Sequence, residues 1–146
     1  MTDAKAREFD FWIGEWDAYV TGTENLAGYS RIEMASGGCM ILENWTSKAG
    51  PFEGKSMNFV DPETKKWKQI WVGSGKSPNA TKFLNGEYRD NAMRFDFDSI
   101  DPAGKKQLVQ FHFYNESPNQ VRQVHKTSAD GVTWTTTYDF TYKRKK

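Results

Sequence analysis

Along most of the chain apolar and polar residues alternate with a period of two, in runs of about six to eleven residues separated by turn formers. The stretch Phe9 to Val20 departs from this. Phe9, Phe11, Trp12 and Ile13 cluster at spacings that suit one or two helical turns, and at Gly14 the pattern switches to alternation. Trp16, Ala18 and Val20 then fall on one side, and Glu15, Asp17 and Tyr19 on the other. This change of period predicts a short aromatic helix packed under the first strand of a sheet, with Phe9 to Ile13 as a plug.

Downstream, turn signals recur at short, even steps. They include Ser36-Gly37-Gly38, Ala49-Gly50-Pro51, Asp61-Pro62-Glu63, Gly73 to Asn79, Asn85-Gly86, Arg89-Asp90-Asn91, Asp101 to Gly104, Ser117-Pro118-Asn119 and Asp130-Gly131. Glycine and asparagine supply positive φ, proline presets φ, and Asp-Pro starts a turn. Nine or ten strands fit between them, with no room for a second helix and no linker that divides the chain. Trp134, Thr136, Tyr138, Phe140 and Tyr142 form one row of the last strand, against Thr135, Thr137, Asp139 and Thr141. Met93, Phe95 and Phe97 form another, as do Val109, Phe111 and Phe113. A sheet that is apolar on one face throughout must curl or stack, and closure removes its edges. The expectation is an all-β, up-and-down antiparallel barrel in one domain spanning residues 1–146.

Three strands break this tidy rule of one apolar face. Cys39 to Trp45 places Cys39, Ile41, Glu43 and Trp45 on one face and Met40, Leu42 and Asn44 on the other, so both faces are mixed. Gly54 to Val60 aligns Ser56, Asn58 and Val60, and Trp67 to Val72 aligns Trp67, Gln69 and Trp71 opposite Lys68. A lysine resists burial and the tryptophans are large, so the Trp67 row turns inward and takes Gln69 with it.

Composition sharpens this picture. Six Trp, six Tyr and ten Phe accompany many Thr, Asn and Gly in a chain of 146 residues, which favours strands and allows a core without staples. A net charge of +1 offers no field for a polyanion, so no nucleic-acid partner is expected. The basic end Lys143 to Lys146 is read as solvated. One cysteine excludes an internal disulfide and any Cys-pair zinc site. Cys39 itself is read as a small buried hydrophobe. No apolar run reaches the ~20 residues of a membrane helix, and Thr2 to Glu8 is not signal-like. A soluble, cytoplasmic protein without a membrane partner is the expectation.

Taken together, Phe9-Asp10-Phe11-Trp12-Ile13-Gly14-Glu15-Trp16, Gly37-Gly38-Cys39 running to Glu43 and Trp45, Gly54 to Asp61, Trp67 to Val72, and Asp130 to Trp134 with Tyr138-Asp139 resemble a family of small bacterial lipocalin-like proteins of unassigned function. The resemblance covers essentially the whole chain. It implies a calycin-type barrel of about ten strands closed by an N-terminal helix, and no established activity. The wider superfamily has a Gly-x-Trp motif at its first strand, matched by Gly14-Glu15-Trp16, with a basic side chain over the tryptophan. Lys143 or Arg144 fits that place. The chain differs from secreted lipocalins in lacking disulfides and in its shorter length. Nitrobindin-like haem proteins are more distant likenesses that need a histidine ligand, for which only His112 and His125 are present.

The candidate ligand-binding residues are therefore Glu43, Trp45, Ser56, Asn58, Trp67, Gln69, Trp71 and Tyr138, set to meet a small, largely apolar or aromatic molecule. A buried carboxylate must be hydrogen-bonded, solvated or protonated. Three readings stay open: a hydrogen-bond network that fixes barrel register, a ligand cavity, or an acid–base enzyme of isomerase, cyclase or hydrolase type in which Glu43 transfers the proton while Asn58 and Gln69 polarise a substrate oxygen. No cofactor is expected, with His125 as a weak haem-ligand candidate. No metal site is expected, because no His-x-His, His-Glu-x-x-His or calcium-loop spacing occurs. Gly73-Ser74-Gly75-Lys76-Ser77 lacks the phosphate-loop spacing and is read as a flexible loop at the barrel mouth. A filled barrel that serves as an interaction module, or a homodimer, is the non-ligand alternative.

Overall fold

A computed structural model describes residues 3–75 and 79–146. Ten antiparallel strands close into one barrel in which each strand pairs with its sequence neighbours and the last returns to the first. They are β1 (Gly14–Val20), β2 (Leu26–Ala35), β3 (Met40–Ser47), β4 (Glu53–Val60), β5 (Trp67–Gly73), β6 (Asn79–Arg89), β7 (Ala92–Ile100), β8 (Lys106–Ser117), β9 (Gln120–Ser128) and β10 (Thr135–Arg144). Closure pairs Trp16 with Arg144 and Val20 with Phe140, leaving no free edge between the first and last strands.

The N-terminal segment is the expected plug, built from two short 3-10 turns, Lys5–Arg7 and Asp10–Trp12. Phe9 and Trp12 are fully buried. Their rings stack 5.1 Å apart, and Phe9 meets Trp67 and Phe113 edge-on at 5.7 and 5.0 Å. The Trp67 Nε1–H donates to Glu8 at 3.1 Å. The Trp16 indole N–H also donates to the Trp12 carbonyl and Arg7 to the Gly38 carbonyl, so the plug is seated by ring contacts and several polar ties rather than by helix length.

Side chains follow the predicted alternation with three exceptions. Asn85-Gly86 is not a turn but a bulge inside β6, opposite Lys68, where the β5–β6 register shifts and Asn85 takes φ +60°. Asparagine tolerates that left-handed conformation, so the signal was real but marked an extra residue in a ladder. A second bulge at Thr137 shifts the β9–β10 register between Thr136 and Tyr138. It reverses the parity of the row, so Tyr138, Phe140 and Tyr142 turn inward while Thr136 is exposed and Trp134 lies before the strand, half-buried. Third, Cys39 is exposed rather than buried. It caps a 3-10 turn, Ser36–Gly38, in which Gly37 and Gly38 take positive φ, and the inward row of β3 begins only at Ile41. The loop from Gly73 to Asn79 is described only in part, and Lys76, Ser77 and Pro78 lie outside the described residues.

The interior has two halves. At the plugged end Phe9, Trp12, Trp16, Trp67, Met93, Phe95, Phe113 and Tyr142 are excluded from solvent almost completely, the packing expected of a solid core. Toward the other end the inward-facing Trp45, Trp71, Phe97, Tyr138 and Phe140 are only partly buried. Large side chains that point into a barrel and still present surface report a void.

Candidate functional site

That void is a cavity of about 760 Å³ in the unplugged half, a volume suited to a drug-sized molecule. Its walls come from β3 (Glu43, Trp45), β5 (Gln69, Trp71), β6 (Ala80 to Phe83), β7 (Phe97, Ser99, Ile100), β8 (Gln107, Val109, Phe111), β9 (Gln123, His125) and β10 (Tyr138, Phe140, Tyr142). Exposed Ala80, Thr81 and Ile100 mark its rim.

Strand register explains how one carboxylate reaches this space. Glu43 pairs with Ser56, and Ser56 with Trp71, so the three form one cross-strand row on the inner face. Ser56 Oγ donates to Glu43 Oε1 at 2.7 Å, and Ser30 Oγ, from β2, donates to Oε2 at 3.4 Å. Behind them Asn58 Nδ2 donates to Ser56 Oγ at 2.9 Å and to the Ile41 carbonyl at 3.2 Å. Gln69 Nε2 donates to Asn58 Oδ1 at 2.7 Å. The Ile41 carbonyl accepts only, which fixes the Asn58 amide orientation and makes the chain one-directional, with Glu43 as its terminal acceptor.

Glu43 is 3% exposed and has no cationic partner among the described residues. Burial pushes its pKa up to about 7, against the opposing pull of the Ser56 and Ser30 hydrogen bonds. Near neutral pH the group therefore exists in both forms, as a proton donor or a charged acceptor. Burial, reinforced by the Glu43 charge, pushes the Tyr138 and Tyr142 phenols upward, so both stay protonated.

Across the cavity, the His125 ring stacks on Tyr138 at 4.9 Å and meets Phe111 and Phe83 edge-on. Its Nδ1 is buried with no hydrogen-bond partner, and burial lowers its pKa, favouring the neutral imidazole. His112 lies elsewhere, in the outward row of β8, held by Asp96 at 2.6 Å and Tyr114 at 2.9 Å.

Of the eight residues singled out from sequence, Glu43, Trp45, Gln69, Trp71 and Tyr138 line the cavity. Ser56 and Asn58 are buried behind them, supporting Glu43 and Gln69 through hydrogen bonds. Trp67 packs against the plug at the closed end. Sequence reasoning did not single out Ser30, Phe83, Phe97, Gln123, Phe140 or Tyr142 for the site. Ser30 was within reach, since it alternates with Gly28 and Ile32 in β2. The phenylalanines carry no signal that separates a cavity wall from a core.

Glycines shape the tryptophan walls. A Cβ on Gly54 would stand 2.3 Å from the Trp71 ring, and one on Gly28 2.6 Å from the Trp45 ring, so each indole packs directly against bare backbone on a neighbouring strand. The arrangement can bind a flat apolar body and present to it one titratable carboxyl. Glu43, Gln69, Tyr138 and His125 offer no cluster of metal-ligating groups; among the described residues none of three or more His, Cys, Asp or Glu side chains is found anywhere. No described helix is long and apolar enough to cross a membrane. No protein-family model matches the chain, and neither does any curated protein.

Proposed function

We propose that the protein binds a small, largely apolar or aromatic molecule bearing one or two polar groups inside the barrel cavity. The observation that carries this reading is the half-hollow interior, about 760 Å³ walled by aromatic rings with Glu43 at its inner side. A filled barrel acting only as an interaction module would not leave Trp45, Trp71, Phe97, Tyr138 and Phe140 facing inward yet only partly buried. Pockets of this size with a few convergent polar groups and one perturbed pKa are the usual form of ligand sites.

The same groups support a second reading, acid–base catalysis by Glu43, because a carboxyl with a pKa near 7 both gives and takes protons at neutral pH. Asn58 supports that reading less than the sequence suggests. Its amide is spent on Ser56, Ile41 and Gln69, so polarisation of a substrate oxygen would fall to Gln69 or Tyr138. The haem-binding alternative rests on His125 in the cavity wall, and a haemin titration that develops no Soret band dismisses it.

The ten-strand closed barrel supports membership in the lipocalin-like group that the sequence resembles. The lone cysteine supports a reducing compartment, the cytoplasm. Titration with the neutral, environment-sensitive fluorophore N-phenyl-1-naphthylamine tests the cavity reading. Saturable enhancement at one site per chain is expected. No enhancement in the wild-type protein overturns the reading.

A further inference from the structure

We propose that the cavity is selective for a monocationic organic amine with an aromatic or otherwise apolar body, whose ammonium group meets Glu43 and whose body lies along the Trp45 and Trp71 walls. The proposal rests on the ligand-binding reading above and names the ligand class.

Four observations point to a cation. First, Glu43 is the only acidic residue on the cavity wall among the described residues, and no basic side chain pairs with it. A buried carboxylate is costly without a counter-charge, and a ligand can supply one. Second, Ser30 and Ser56 each occupy one lone-pair site of a group that has about four, leaving acceptor capacity for ammonium N–H donors. Third, Gln69 donates its amide N–H to Asn58, and its carbonyl oxygen receives no hydrogen bond among the described residues, so a second acceptor stands on the cavity wall two strands away, on β5. Fourth, the surrounding walls are aromatic. Trp45 stacks on Phe140 at 6.2 Å and leans on Tyr142 at 6.4 Å, while Tyr138 stacks on Phe140 at 5.5 Å. Aromatic faces around a carboxylate attract a cation by their quadrupoles and repel an anion.

The other groups that face the cavity do not compete with the ligand's charge. The Tyr138 and Tyr142 phenols stay neutral, and burial favours neutral His125. Lys82, at the rim, has its side chain exposed in the outward row of β6, paired with Ile70. An incoming ammonium therefore favours ionised Glu43. Below a pH of about 7 the affinity must fall as the carboxyl takes up its proton.

The test is calorimetric titration of the whole chain with three ligands that share an indole body: tryptamine, its neutral alcohol analogue tryptophol, and anionic indole-3-acetate. At a pH of about 8 tryptamine is expected to bind roughly tenfold or more tighter than tryptophol, with indole-3-acetate weakest. Tryptamine affinity is expected to fall about tenfold per pH unit on acidification below about 7, and its advantage over tryptophol to vanish in Glu43→Gln. Should that variant not fold, the wild-type pH profile carries the same decision. Tryptophol or indole-3-acetate binding as tightly as tryptamine overturns the cationic assignment and leaves the cavity reading standing, as does naphthylamine binding without tryptamine binding. Failure of the naphthylamine and all three indoles overturns both.

Discussion

The Arg144 guanidinium lies 4.2 Å from the Trp16 ring centroid, and its Nη1 donates to the Ile13 carbonyl at 2.9 Å. Its Nε donates to the Pro118 carbonyl at 3.0 Å, so one side chain joins the plug, β1, the β8–β9 turn and β10 at the barrel seam. Trp16 Nε1 in turn donates to the Trp12 carbonyl at 2.8 Å. Gly14, at φ +142°, leaves the space: a Cβ there would stand 2.1 Å from Arg144 Nη1. The Gly-x-Trp pattern and a basic residue some 130 positions later thus form one device, with Arg144 rather than Lys143 in the basic role. Lys143 instead extends over Tyr19 at 5.5 Å.

Removing this clasp should loosen the closed end without touching the cavity. Arg144→Ala is expected to cost about 1–3 kcal/mol, because two backbone carbonyls lose a charged donor and an indole loses its cation. Trp16→Ala, which empties a fully buried site, is expected to cost about 3–5 kcal/mol. Urea unfolding curves compare the two. A clasp variant as stable as wild type contradicts the account.

Glu43 should make stability depend on pH with a definite sign. Its folded pKa, about 7, lies above the ordinary value of 4.5, so the folded state holds the proton more tightly than the unfolded one. The stabilisation is full below the unfolded value and is lost as pH rises from there through about 7. Replacing Glu43 by Gln removes the charge and keeps the shape. Relative to wild type, Glu43→Gln is expected to gain stability as pH rises from about 4.5 to 8, by up to a few kcal/mol. Asp96 and Asp139, whose carboxyls are held low by His112 and Arg122, contribute the opposite slope in both proteins and cancel in the difference. Paired thermal melts across this range check it; a flat difference refutes it.

Gly54 sets where the Trp71 ring rests. Gly54→Ala should push that indole toward the cavity, since the added methyl would stand 2.3 Å from it. Overpacking of this kind costs about 1–3 kcal/mol, and naphthylamine binding should weaken several-fold with it. Trp71→Ala should have the contrary signature, a larger cavity that accepts bulkier probes. Binding that is unchanged in Gly54→Ala would separate Trp71 from the ligand.

Cys39 stands exposed beside the 3-10 turn before β3. One thiol per chain should therefore react with Ellman's reagent in native buffer, at a rate little changed by denaturant. Labelling that required unfolding would return the residue to the core.

The period-two runs, the glycine and asparagine punctuation and the switch of period at Gly14 were enough to specify an all-β barrel with an aromatic plug, because alternation and turn chemistry act over a few residues. They also turned the Trp67 row of β5 inward and with it Gln69, and marked Glu43 and Asn58 as candidates to join it; on β3, where both faces are mixed, only the register with β4 and β5 decided that they do. Local pattern could not foresee a residue added to a ladder. Bulges at Asn85 and Thr137 depend on the partner strand, and the second removed Trp134 and Thr136 from the row to which alternation had assigned them. Nor could it separate Trp67, locked in the core, from Trp71, exposed to the cavity, since both alternate in one row of β5 and differ only in distance from the plug. Which inward side chains touch one another and which border empty space is decided by barrel closure: ten strands enclose more width than these side chains fill, and the plug occupies one end only. The tertiary structure alone therefore made half of an aromatic interior a core and the other half a binding cavity.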